Sequence, residues 1–371
     1  MNGRERFVRM LGFEPVERGF NHELGLWPQA LDRWHTEGLP EDVIIGDWLQ
    51  GCEYLQIERV GYVPVRVLEM YPPFEVEVLE EDERYRVTRW ADGHVSRALK
   101  EGEVRGGRTS MDTYIAFPVT DRDSFHAIQK RYDALSPARY PEWWDDTVRC
   151  LAGRDYPLAL THNGCFGLYS FLRRLMGTEA ACTVFYDDPV LAEEMLDWMT
   201  DHLLTVLERA LATVQVDYFN YFEDYCYNAG PLVGPNIFAK FLMKRYRRIN
   251  DHLRAHGVRH IMLDSDGNTE LLMPLMIEAG INVHWPLERA ANMDPLAIRA
   301  KYGHDLALIG GIDKRALAQG RKAIDAELYR HVPQLLEDGG YIPTVDHTVP
   351  HDVSYDDFQY YMEVKRRLLG L

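Results

Sequence analysis

The second half of the chain alternates short apolar runs with longer segments of helical spacing. The runs cover 157–160, 214–219, 260–263, 281–285, 306–309 and 341–345, and the helical segments between them cover 193–213, 235–256, 269–279, 295–302 and 324–338. Alternation sustained in this way predicts a parallel sheet, either doubly wound or closed as a barrel. Gly257, Gly280 and Gly303 come directly after three of the helical segments, where a C-cap favours a residue without a Cβ. Residues 73–118 have another texture. Positions 74–79 and 85–90 alternate around a polar turn at 80–83, and Asp92-Gly93 precedes a third short run at 94–99. That is the pattern of an antiparallel meander with one solvated face. It buries too little to stand alone, so it reads as an insertion at 73–118 within one domain spanning 1–371.

The choice between open sheet and barrel turns on the residues at the C-terminal end of each apolar run. No glycine-rich phosphate-binding motif stands at any of them. Polar residues stand there instead: His162-Asn163, Glu223-Asp224, Asp264 to Asn268, Glu288, Asp313-Lys314 and Asp346-His347. A barrel gathers all its strand ends at one mouth, whereas an open sheet spreads them out. The predicted fold is therefore α/β, a (β/α)8 TIM barrel with an antiparallel β insertion in its N-terminal third.

Charge and cysteine content narrow the partners. With 41 basic and 58 acidic residues the net charge is −17, unsuited to nucleic acid or an anionic membrane. The five cysteines are an odd number with no C-x-x-C pair, which argues against a disulfide framework or a cysteine-rich zinc module. Met1 to Arg9 does not read as a signal peptide, and no run approaches the ~18 apolar residues of a membrane span. A cytoplasmic protein acting on a small molecule is expected.

The sharpest local signal is Asp264-Ser265-Asp266-Gly267-Asn268-Thr269, where a buried strand stops at two carboxylates and a tight turn. Such neighbours repel unless a cation or a shared proton relieves them. Glu223-Asp224-Tyr225 ends an aromatic stretch, and apolar walls raise a carboxyl pKa as a general acid requires. Spacing does not choose between the two acids, and Asp224 could instead pair with an arginine. In Asp346-His347 the carboxylate can orient the imidazole as a base or a metal ligand. His22, Glu23, His162 and Glu288 are further candidates at strand ends, and Trp27, Trp285 and Tyr225 are candidates for an apolar substrate wall.

Several of these pieces together resemble the uroporphyrinogen decarboxylase-like superfamily, which includes zinc-dependent corrinoid methyltransferases. The resemblance rests on Glu223-Asp224 with Gly230-Pro231, Asp264 to Asn268, Pro286-Leu287-Glu288, Gly310-Gly311-Ile312-Asp313, Gly339-Gly340-Tyr341-Ile342 and Asp346 to Pro350. It implies a TIM barrel. In the zinc methyltransferases His-x-Cys-Gly-Asn comes after the fifth strand and a cysteine after the last. The matching positions here are Asp264, Asp266 and His347, a harder set that suits zinc, manganese or iron, with Glu288 as a fourth ligand. The haem-pathway decarboxylase uses an arginine-rich N-terminal loop, where this chain has His22-Glu23-Leu24-Gly25-Leu26-Trp27. The resemblance thus implies a methyltransferase moving a methyl group from a small O-methyl or N-methyl substrate to a corrinoid protein. Glu223 or Asp224 would be its acid, with His22, Glu23, Trp27, His162 and Tyr225 around the substrate. A metal-independent decarboxylase or lyase, and a non-catalytic barrel binding a tetrapyrrole or corrinoid, are the alternatives.

Overall fold

The computed structural model describes all residues except 44, 46–48, 50, 102, 105–106, 109–110 and 162–165. Its centre is a curled parallel sheet of seven strands: β1 (Gly61–Tyr62), β6 (Leu158–Ala159), β7 (Tyr218–Phe222), β8 (His260–Asp264), β9 (Val283–Trp285), β10 (Ala307–Ile309) and β11 (Tyr341–Ile342). They lie side by side in chain order with no reversal. A doubly wound sheet reverses its order at a switch point, so this progression is that of a barrel wall. Every residue of β8 is buried, as apolar runs covered on both faces require. Register places Asp264 level with Phe222 on one side and Trp285 on the other, so Glu223 lies one step beyond.

Among the described residues the eighth strand of the expected barrel is not formed as a ladder. Residues 20–26 lie along that side, where Leu26 makes a single parallel bridge to Val349 and Glu58 N donates to Asn21 O at 2.8 Å. The backbone donors of this segment go elsewhere. Gly19 N binds Leu369 O at 2.8 Å and Asn21 N binds a Glu58 carboxylate oxygen at 2.9 Å. The start of the segment thus has backbone donors engaged away from the sheet. The insertion is present as an antiparallel sheet of β2 (Glu77–Glu81), β3 (Tyr85–Arg89), β4 (Val95–Leu99) and β5 (Thr113–Ala116).

What ties this side of the fold together is a buried ion pair. Glu23 and Lys365 have no exposed side-chain surface and meet at 2.5 Å. The same carboxylate accepts from the Tyr361 hydroxyl and from Val345 N at 3.1 Å, while the Lys365 ammonium also donates to His22 O at 2.6 Å. The N-terminal segment, the last strand and the C-terminal helix Tyr355–Leu369 are thus joined at one point. Burial lowers the Lys365 pKa, and Glu23 opposes that shift. Replacing Lys365 with Met strands a carboxylate in the core, and unfolding in urea is expected to show a loss of about 3–5 kcal/mol. The double variant E23Q/K365M is expected to recover much of it. Equal losses in the single and double variants would show that the pair does not hold this side together.

Candidate active site

Asp264 is the last residue of β8 and its side chain is buried. Burial raises its pKa well above the usual carboxyl value, and the nearby charges of Asp266 and Asp224 push it further. Among the described residues no hydrogen-bond donor offsets these effects. All three effects disfavour the ionised form of this carboxyl.

Asp266 sits in the turn just beyond, with its carboxylate 3.6 Å from His347 Nε2. Burial disfavours the charged imidazole, but Asp266 outweighs it and the His347 pKa is raised overall. Thr348 Oγ1 lies 2.9 Å from the other ring nitrogen. Glu288 accepts from Gly267 N at 2.8 Å, which fixes the turn that follows the two carboxylates. Lys314, beyond β10, stands 3.6 Å from Glu288 and 3.5 Å from Asp346. Asp346 is buried and accepts from Arg289 N at 2.8 Å and Lys314 N at 3.1 Å.

The expected metal ligands Asp264, Asp266, Glu288 and His347 share this mouth without forming one ligand set. Asp266 pairs with His347, and Glu288 is engaged by Gly267 N and Lys314. Among the described residues, the one trio of carboxylates and imidazoles with ligand atoms within 4.8 Å of one another is Glu208, His252 and His256, outside this cluster. The ammonium of Lys314 supplies the positive charge that a cation would bring to Glu288 and Asp346. In this arrangement the four residues do not fit a single shared ion.

Glu223 and Asp224 part ways. The Glu223 carboxyl is fully buried and turns into the start of the helix Leu168–Met176, accepting from Tyr169 N at 3.1 Å, Ser170 N at 2.9 Å and the Tyr246 hydroxyl. Burial raises its pKa to about 7 against the pull of those donors. Gly167 passes so close that a Cβ there would overlap Glu223. Asp224 instead pairs with Arg173 and faces a cavity of about 390 Å³. Phe117, Phe166, Phe171 and Phe222 supply its apolar walls. The insertion closes one side with Asp92 and His94, whose Nδ1 lies 2.6 Å from the Asp92 carboxylate. Asp92 also holds Arg174 at 3.1 Å, which fastens the insertion to the barrel helix beneath it.

The remaining expected residues lie apart from the cavity. His22 faces a small void inside the barrel with Trp285, and burial lowers its pKa to about 3, so it is neutral. Glu23 is held by Lys365. Tyr225 is fully buried against Phe238. Trp27 is partly exposed at the start of the helix Pro28–Thr36, its backbone N–H bound to Val349 O at 3.0 Å. His162 lies outside the described residues. Sequence reasoning gave no site role to Lys314, Arg173, Asp92 or His94. The Asp313-Lys314 strand end and the Asp92-Gly93-His94 turn were visible signals, but spacing does not tell where their side chains point.

The match to a family decides the relationship. Residues 112–368 match the family described as uroporphyrinogen decarboxylase (URO-D). The chain belongs to the URO-D family. The matched region holds Asp224, Asp264, Asp266, Glu288, Lys314 and His347, whereas β2, β3, β4, Asp92 and His94 precede it. Among solved structures, a methyltransferase from Methanosarcina mazei superposes with a TM-score of 0.62 at 13% identity, covering 100% of both chains. At that identity the likeness is one of fold. No curated protein sequence matches the chain. Among the described residues no helix is long and apolar enough to cross a membrane.

The Glu223 shift has a testable sign. Its pKa of about 7 in the folded protein exceeds the usual 4.5, so folded protein holds a proton that unfolded chain has lost. Its contribution to stability is complete at acid pH and declines as pH rises through that window. Urea unfolding at a series of pH values is expected to show wild type losing stability relative to E223Q between about 4.5 and about 7, then levelling off. A difference that stays flat across the window would mean that Glu223 is ionised throughout.

Proposed function

We propose that this protein removes a methyl group from a small, neutral or cationic O-methyl or N-methyl compound and passes it to a corrinoid carried by a separate protein. The observation that carries this reading is the buried carboxyl of Asp264 at the strand end, where burial and the charge of Asp266 favour its protonated form, with His347 paired to Asp266. Breaking a methyl–oxygen or methyl–nitrogen bond leaves electron density on the heteroatom, and a positioned acid that protonates it lowers the barrier. In this reading Asp264 would give that proton. His347, whose pKa Asp266 raises, would return one from solvent. The corrinoid supplies the nucleophile that takes the methyl group, and this chain supplies binding, orientation and the proton. Family membership and the methyltransferase fold likeness accord with this reading.

Charge favours it over decarboxylation of a polyanion. The cations at the mouth are already matched: Lys314 by Glu288 and Asp346, Arg173 by Asp224, and Arg174 by Asp92. A substrate bearing several carboxylates would find no free cation among these and would face Asp266 and Asp224. The aromatic cavity walls suit an apolar body with one polar end. Metal-independent decarboxylation is the second reading, favoured by the family match itself. There the same neutral acid would protonate the carbon that loses carbon dioxide.

One assay separates the two. Purified protein, analysed for metal, is mixed with free cob(I)alamin and a panel of methoxylated and N-methyl compounds, and methylcobalamin is followed by absorbance. Methyl transfer is expected for at least one compound, and D264N is expected to slow it by roughly a hundredfold or more without loss of folding. Carbon dioxide release from carboxylated analogues, with no methyl transfer across the panel, would replace this reading with the second.

A further inference from the structure

Two neighbouring helices of the outer layer, Pro189–Thr213 and Met243–Ala255, are laced together by a row of ion pairs. Glu193 meets Lys244 at 2.7 Å and also pairs with Arg245, Asp197 meets Arg245 at 2.8 Å, and Asp201 meets Arg248 at 2.6 Å. At the far end the chemistry changes. Glu208 faces two imidazoles, with its oxygens 3.2 Å from His252 Nε2 and 3.9 Å from His256 Nε2. A guanidinium or ammonium offers no lone pair to a metal, whereas two imidazoles and a carboxylate do.

The geometry at this end is that of a ligand set. His252 and His256 are four residues apart, so both rings leave the same helix face. Their centroids are 4.6 Å apart, and one ligand atom from each of the three residues lies within 4.8 Å of the others. Ligand atoms at about 2.0–2.1 Å from a tetrahedral zinc stand roughly 3.3–3.5 Å from each other, close to the spacings seen. The His256 tautomer is also fixed. Its Nδ1 lies 2.9 Å from His252 O, and a carbonyl can only accept, so Nδ1 carries the hydrogen and Nε2 of the neutral ring keeps its lone pair. That carbonyl plays the orienting part that metal-bound histidines commonly require. His252 Nε2 is buried and makes no hydrogen bond. The Glu208 side chain is 58% exposed, which leaves a path for an ion and a position for water.

We propose that Glu208, His252 and His256 bind a divalent transition-metal ion, zinc foremost, with water completing the coordination. The site lies where the two helices lead into the N-terminal ends of β7 and β8, on the side of the barrel opposite the strand-end cluster. Residues on that face serve stability rather than chemistry. The ion would act as a clip between the helices and raise the stability of the fold by mass action. This inference is independent of the proposed methyl transfer, since it uses none of the mouth residues.

Titration of metal-free, full-length protein with zinc chloride by calorimetry, paired with thermal melts, tests it. Wild type is expected to take up a zinc ion here and to melt higher with zinc present. In H252A and in H256A the affinity of that site is expected to fall by roughly tenfold or more, and the zinc-dependent rise in Tm to vanish. H347A is expected to keep both, because it alters only the mouth. Uptake unchanged by H252A and H256A, or lost in H347A alone, would overturn the assignment. So would absence of zinc binding at micromolar concentrations, which would leave these residues as ordinary ion pairs.

Discussion

Desolvation of carboxyl groups is the constraint around which this barrel is arranged. Moving a carboxylate out of water costs several kcal/mol unless donors or cations replace the lost hydration. Most of the buried acids here have such partners. Glu23 has Lys365, Tyr361 and Val345 N, Asp217 has Arg154 and Arg4, and Asp346 has Arg289 N and Lys314. Glu223 has two backbone donors at a helix start and the Tyr246 hydroxyl. Asp264 is the exception. Its electrostatic neighbours are two further carboxylates, which push its pKa up together with burial. The same physics that makes the others structural leaves this one uncompensated, and groups of this kind gather at functional sites.

The fold was legible where burial dictates residue type. Runs such as Ile261 to Leu263 and Leu306 to Ile309 are covered on both faces, so they are apolar throughout and stand out between amphipathic helices. The 218–222 strand runs later than the apolar pattern at 214–219 suggests, because Asn220 is buried within the sheet. The missing eighth ladder was not legible. It depends on where the backbone donors of residues 19–21 go, and their partners Leu369 and Glu58 are distant in sequence.

The site was legible in position more than in role. Asp264, Asp266, Glu288 and His347 do lie at or beyond the C-terminal ends of the strands, where a strand that stops abruptly at polar residues sets them. Their grouping into metal ligands depended on a resemblance, and in the structure the Lys314 ammonium stands beside Glu288 and Asp346. For Glu223 and Asp224 the sequence left the choice open. Adjacent residues point opposite ways past the strand end, and the helix start at Tyr169 and Ser170 claims the first. The insertion adds Asp92 and His94 to the cavity wall from residues that precede the family-matched region. It is therefore a natural place for substrate selection to be set, while Asp224 on the same cavity wall belongs to the matched region.

The central claim is that Asp264 carries a proton in the resting protein. Infrared difference spectroscopy at neutral pH, wild type minus D264N, reads this directly. The carbonyl stretch of a neutral carboxylic acid is expected in the difference spectrum, shifting in heavy water as an exchangeable acid should. A spectrum containing only the paired stretches of an ionised carboxylate would contradict the claim and remove the proton donor on which the proposed chemistry rests.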